Sequence, residues 1–296
     1  MNLAMIGTVF VDVKGYPLGE FVPQGRNAGR IQEFHGGVGR NIAEDIANME
    51  ENAMLVGLVD EGGSGVSVVN HLKKKNVNTD HIRATKDGMG TWLAVFDDSG
   101  EVYASVSKRP NLLPICDILE EEGEEIFTWA DAILLEIDID EDIVSKTFEL
   151  ADKYGKKVYS VISNMTIAIE RMDYIVRSGC FVCNRNEAAI FFGCHDRDFS
   201  TPAKALATLE KLLPDKKLEA MVVTLDEDGA VYCNLDGESG ICPAESVEVV
   251  DTTGAGDAFF AGVSIGLAGG GTLEEACLTG THMSSRVIHT VGNVYR

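Results

Sequence analysis

Seven consecutive residues, Asp251-Thr252-Thr253-Gly254-Ala255-Gly256-Asp257, have the types and spacing for moving a phosphoryl group. They stand between VEVV and a run, AFFAGVSIGLAGG, that is apolar nearly all round a helix. A helix of that kind is central and buried. Its first turn presents the N–H groups of Gly254, Ala255 and Gly256 with no bulky side chain in front, and the helix dipole adds partial positive charge there. That makes an anion hole. Asp257 has two readings. It is an acid capping the helix, or it is a general base that removes a hydroxyl proton beside the phosphoryl being moved. Phosphoryl transfer needs charge stabilisation and an oriented nucleophile side by side.

The elements that must position these residues alternate strand and helix. NLAMIG is a short apolar run ending at Gly7, which predicts a buried first strand rather than a signal peptide. GGVGRNIAEDIANME is a glycine turn feeding a helix with Ile42, Ala43, Ile46, Ala47 and Met49 on one face. Strands are predicted at 53–59, 132–137, 157–162, 174–176, 180–183, 220–225 and 229–235, with helices between most of them and a glycine turn between the last two. PAKALATLEKLLP (202–214) is bounded by proline at each end, and EEEGEE (120–125) reads as a solvated helix end. Repeated β-α order means a parallel sheet covered on both faces. Two stretches differ. Residues 11–35 mix apolar residues with Gly and Pro. Residues 91–107 alternate with period two around Asp97-Asp98-Ser99-Gly100, a hairpin with two unlike faces. Together they predict a small separate sheet.

Composition narrows the function. The chain has 296 residues, 45% of them hydrophobic, and a formal charge of −22 from 25 basic and 47 acidic residues. Phosphate neutralisation on a nucleic-acid polymer needs clustered Lys and Arg, so such a partner is excluded; a small anion held by backbone N–H groups is not. There is no run of 18 apolar residues to span a membrane. Seven cysteines in no framework pattern predict reduced thiols in a cytoplasm. Cys180-x-x-Cys183 reads as part of a buried strand, because a second paired ligand set is absent. The six histidines fall in no metal-ligand spacing. Neither a Walker-type P-loop nor a G-x-G-x-x-G after the first strand occurs.

DTTGAGDAFFAG and GGVGRNIAEDIA resemble the C-terminal and N-terminal signatures of the ribokinase-like (PfkB) sugar and nucleoside kinases, in that family's order and separation. The resemblance spans the whole chain. It implies one domain over 1–296, a three-layer α/β/α fold with a mostly parallel central sheet, and a small β-sheet lid from about 11–35 and 91–107. It implies ATP as donor. Asp257 matches the family's catalytic base, and Gly254, Ala255 and Gly256 its anion hole. Gly36, Gly37 and Asn41 match acceptor-binding positions: the glycines let a hydroxylated ring approach the backbone, and Asn41 offers donor and acceptor together. Asp12 matches an acid that grips acceptor hydroxyls. Asn184 and Glu187 match an N-x-x-E in which the Glu organises Mg²⁺ through water; taken alone they read as an N-cap and its capping-box acid. Asp251 and Thr253 match positions where some members hold a monovalent cation such as K⁺. Thr224 and Gly229 match the nucleotide strand-turn, where Asp226 replaces a glycine within a cluster of three acids.

Asp12, Lys14-Gly15, Asn27-Ala28-Gly29-Arg30-Ile31 and GGVGRNIAE resemble the corresponding stretch of pseudouridine kinases, with Ala28 where that group has proline. This implies the 5′-hydroxyl of a ribonucleoside as acceptor, with Asp12, Lys14, Asn27, Gly36, Gly37 and Asn41 around it. Trp92 and Phe96 are candidates for a wall beside the base. A free sugar such as ribose or fructose is the alternative acceptor. A non-catalytic nucleoside-binding protein on the same fold is the alternative of another class. The resemblance also implies a homodimer made through the lid.

Overall fold

The computed structural model describes residues 1–97, 102–290 and 292–296, Ala168 by its backbone alone. Among these residues are thirteen strands and ten α-helices. The strands are β1 (Asn2–Ile6), β2 (Phe10–Pro17), β3 (Gly29–Gly36), β4 (Asn52–Asp60), β5 (Ile82–Thr85), β6 (Gly90–Phe96), β7 (Val102–Lys108), β8 (Ala132–Glu136), β9 (Lys157–Val161), β10 (Cys180–Asn184), β11 (Ala220–Thr224), β12 (Ala230–Asn234) and β13 (Ser239–Cys242). The helices are α1 (Val38–Asn48), α2 (Gly63–Lys74), α3 (Pro114–Trp129), α4 (Glu141–Tyr154), α5 (Met165–Ala168), α6 (Met172–Ile175), α7 (Arg185–Phe192), α8 (Pro202–Lys216), α9 (Ala255–Ala268) and α10 (Leu273–Ile288).

Nine strands form the main sheet, in the order β13-β12-β11-β10-β9-β8-β1-β4-β5. It is parallel from β11 to β5, with β12 and β13 added antiparallel at one edge. Its strands are apolar on both faces because both faces are covered. Along β1, Ala4 and Ile6 enter one core, and Leu3 and Met5 enter the other. Helix α9 lies between α1 and α10. Its all-round apolarity follows: a Cβ added at Gly262 would stand 2.7 Å from the Gly280 Cα of α10, so the two helices meet backbone to backbone. The remaining strands form a second sheet, β3-β2-β6-β7, which is the lid.

Three local expectations are corrected. Residues 174–176 are not a strand; α6 and the turn after it carry them, and Gly179 leads directly into β10. The acidic run 120–125 lies in the middle of α3, with Gly123 buried against Leu150 and the acids along the outer face. Helix α8 continues through Pro214 and stops where Lys217 turns left-handed (φ 58°). Of the hairpin turn at Asp97-Asp98-Ser99-Gly100, residues 98–100 lie outside the described residues.

Candidate active site

The C-terminal ends of β1 and β8, the start of α1, the lid and the first turn of α9 surround one cleft of about 680 Å³. Openings outside the carboxyl ends of parallel strands are where open α/β sheets bind ligands. Asp12 enters the cleft from lid strand β2, Asn41 from α1 and Asp257 from α9. The Asn41 Nδ2 donates to Asp257 Oδ2 at 2.7 Å, while the Asn41 Oδ1 is buried without a partner. Burial raises the Asp257 carboxyl to about 6, against the Asn41 hydrogen bond and the charge of Arg40, which both pull it down. The sequence therefore brings together Asp12, Asn41 and Asp257 from positions far apart in the chain.

The glycines divide by purpose. Gly254 is left-handed (φ 82°), and a Cβ there would stand 2.1 Å from the Asn293 carbonyl oxygen. It is the hinge that starts α9. Gly256 is the opposite: a Cβ would meet nothing within 4 Å. That open side is where an anion can reach the backbone. Gly254 and Gly256 have N–H groups with no partner among the described residues, whereas the Ala255 N–H already donates to the Thr252 carbonyl at 3.2 Å. Of the three expected anion-hole donors, two are uncommitted. Gly37 has φ 97°, and a Cβ on Gly36 would stand 2.8 Å from Asp12 Oδ2, so both leave room that a side chain would close.

Lys14 lies on the inner lid face, its ammonium 5.1 Å from the Phe34 ring and 5.9 Å from the Trp92 ring. It lines a smaller cavity of about 220 Å³ with Asp12, Arg30, Asp251 and Thr253. Asn27 is elsewhere. It is exposed in the β2–β3 loop, where its Oδ1 accepts the Val22 N–H at 2.8 Å and its Nδ2 donates to the Val22 carbonyl; it lines neither cavity. Phe96 stacks on Tyr16, ring centroids 4.7 Å apart.

At the expected donor side, Asn184 ends β10 and caps α7. Its Oδ1 accepts the Asn186 and Glu187 N–H groups at 3.0 and 2.9 Å, and Glu187 Oε2 accepts the Asn184 N–H at 2.7 Å. Burial raises the Glu187 carboxyl, and the charge of Asp138 raises it further. Thr224 is paired with Asn184 across β10 and β11. Asp226 takes a left-handed conformation (φ 54°) in the turn after Thr224, and Arg185 lies 3.1 Å from its carboxylate and 3.3 Å from that of Asp228. Arg185 therefore offsets the acids at this turn. A Cβ on Gly229 would stand 2.2 Å from the Cys242 carbonyl oxygen. Asp251 Oδ1 accepts the Thr253 N–H at 2.9 Å, which shapes the loop before Gly254.

The sequence motifs do not reach several buried charged groups at or beside the cleft. Glu136, at the end of β8, accepts the Thr8 N–H at 2.8 Å and is raised to about 8 by burial, with Asp138 adding to the rise. Asp138 accepts from the Ser163 N–H and hydroxyl at 3.0 and 2.8 Å. The signal available was an acid closing a buried apolar strand, AILLE, at the sheet edge where ligands bind. Arg40 is buried behind Asn41. It donates to the His35 carbonyl and pairs with Glu44 at 2.7 Å. Cys180 and Cys183 lie buried in β10, and burial pushes the Cys180 thiol up to about 12.

A cleft beside a helix N-terminus with an acid in its first turn is an arrangement suited to phosphoryl transfer to an alcohol. The chain belongs to the pfkB family of carbohydrate kinases, whose family model matches residues 1–295. It is 31% identical over 295 residues to a guanosine-inosine kinase of Exiguobacterium acetylicum, covering 99% of this chain and 96% of the relative. It is 26% identical over 264 residues to a pseudouridine kinase of Escherichia coli, covering 88% and 82%. Its fold matches that of Arabidopsis thaliana ribokinase complexed with ribose and ATP, with a TM-score of 0.82 and 20% identity over 98% of this chain and 93% of that one.

Proposed function

We propose that this kinase transfers the γ-phosphoryl group of ATP to the 5′-hydroxyl of a ribonucleoside, the whole chain working as one domain. The observation that carries the reading is the Asn41–Asp257 hydrogen bond at 2.7 Å in a cleft shared with Asp12. Asp12 and the unpartnered Asn41 Oδ1 suit the vicinal hydroxyls of a ribose. Asp257 takes the 5′-hydroxyl proton as the phosphoryl group leaves ADP, and the Gly254 and Gly256 N–H groups receive the charge of the transferred oxygens. Lid closure excludes water. Mg²⁺ supplies charge neutralisation on the phosphates when bound. Glu187 fits it, since the capping box holds that carboxylate still and uses only one of its oxygens. Asp251 and Thr253 are the place for a monovalent cation such as K⁺, Asp251 keeping one oxygen outside its turn.

The 31% identity to a guanosine-inosine kinase favours a purine ribonucleoside as acceptor. Pseudouridine is the second reading, favoured by residues 12–15, 27–31 and 36–44. The seven unbridged thiols support a cytoplasmic setting. The exposed outer face of the lid, with Ile31, Leu93 and Val106, supports a homodimer through that sheet.

ADP release from MgATP with inosine, guanosine, adenosine, pseudouridine, uridine, ribose and fructose tests the reading. Turnover on one or more nucleosides well above the free sugars is expected. Turnover on ribose or fructose alone discards the nucleoside. Nucleoside binding by calorimetry with no turnover discards the catalytic reading.

A further inference from the structure

The cleft is larger than a sugar. Asp12, Asn41 and Asp257 occupy one end, and the cavity continues to Ile139, Asn164, Ile167 and Arg171 beyond β8 and β9. Ile139 is buried, and with Ile167 it gives the continuation apolar walls suited to a flat heterocycle. Arg171 is the polar group that stands out there. It is 9% exposed, at the end of the short turn after α5. One end nitrogen, Nη1, is 3.2 Å from Glu141 and 3.9 Å from Glu170, both exposed carboxylates. Its Nε is buried with no hydrogen-bond partner. A buried donor left unmade costs about 1–3 kcal/mol, and native proteins seldom leave one without a reason. Glu141 and Glu170 hold the guanidinium in place from one side and leave the rest of its fork uncommitted.

A guanidinium fork suits two neighbouring acceptors in one plane. In a 6-oxopurine these are O6 and N7. Adenine sets an amino donor where O6 would be, so donor would face donor. Resting on the nucleoside reading above, we infer that Arg171 is a specificity-determining residue, donating from its fork to the O6 edge of a 6-oxopurine ribonucleoside whose ribose lies against Asp12, Asn41 and Asp257.

The test compares inosine with purine riboside, which lacks O6 and the N1 proton that goes with it but keeps N7 and the ribose. In the wild-type enzyme kcat/KM for inosine should exceed that for purine riboside by about 10- to 100-fold, the discrimination of one good bidentate contact. In Arg171→Met that ratio should fall towards one. Arg171→Lys, which keeps the charge and loses the fork, should lie between. Because each variant is judged by its own ratio, a general loss of activity or of folded protein does not imitate the effect. Equal losses on both substrates, or a ratio that falls instead in Arg109→Met, a second arginine lining the same cleft, would overturn the inference while leaving the kinase reading intact. A wild-type enzyme that phosphorylates ribose or fructose but no nucleoside would overturn the inference together with the nucleoside reading it rests on.

Discussion

On the proposed reading Asp257 is the base, and its carboxyl lies in a range where pH can test that role. Its carboxyl is raised to about 6 and must be ionised to accept a proton, so activity should fall as pH drops through that value and stay level above it. Asp257→Asn should lower kcat at least about 100-fold at pH 8 with a small change in acceptor KM. Steady-state kinetics on the folded variant checks this; normal turnover would remove Asp257 from its role. The charge of Arg40 holds Asp257 down, so Arg40→Met should move the acid limb of kcat/KM to higher pH. A limb that stays in place would show that the two groups do not communicate. Asp12, Asn41 and Asp257 were legible from sequence because each belongs to a short dense motif. Arg40, Glu136, Asp138 and Arg171 were not. Each is a charged residue in an otherwise ordinary helix, strand or turn, and only tertiary packing gives it a neighbour to act on.

At the scale of elements, the turn into α9 is the most demanding piece of backbone. Gly254→Ala places a side chain at φ 82° and against the Asn293 carbonyl, so it should destabilise the fold by about 1–3 kcal/mol and lower kcat as well. Denaturant melts and kinetics on one preparation check it; a variant of normal stability and rate would mean the turn relaxes freely. The end of β8 makes a different prediction. Burial raises Glu136 to about 8 from an ordinary 4.5. Its neutral form is favoured in the fold, so its contribution is full below pH 4.5 and is lost as pH rises through 8. Glu136→Gln should remove that loss and raise stability by roughly 2–4 kcal/mol at pH 9, with little gain at pH 5. The same gain at both values would refute the titration. Strands such as AMLVGLV and AILLEI were legible because burial on both faces leaves an unbroken apolar run. Residues 174–176 carry the same apolar signal in a helix one turn long, and three residues do not fix a period.

For the whole molecule, a formal charge of −22 means self-repulsion that salt screens. Melting temperature should rise by a few degrees between low and moderate ionic strength at neutral pH, and calorimetry across a salt series checks it. A flat response would mean that pairs such as Arg185 with Asp226 and Asp228 have already balanced the charge locally. The alternation of strand and helix made the three-layer fold legible, and the break in pattern at 11–35 and 91–107 made the lid legible. The order of the nine strands was not, because parallel neighbours leave no turn between them to read.

The Asn293 carbonyl packed against Gly254 has company. Asn293 donates to the His35 carbonyl at 2.8 Å, Asn48 to the Tyr295 carbonyl at 2.6 Å, and the Tyr295 N–H to Asp45 at 2.5 Å, across separations of 258, 247 and 250 residues. During synthesis the segment up to α1 leaves the ribosome first and waits for some 250 further residues. Closing so long a loop is costly and slow compared with local contacts. The nascent chain therefore holds Asp12 and Asn41 long before it holds Asp257, and a fragment cut before residue 293 would keep all three yet lack the clasp that joins the two ends.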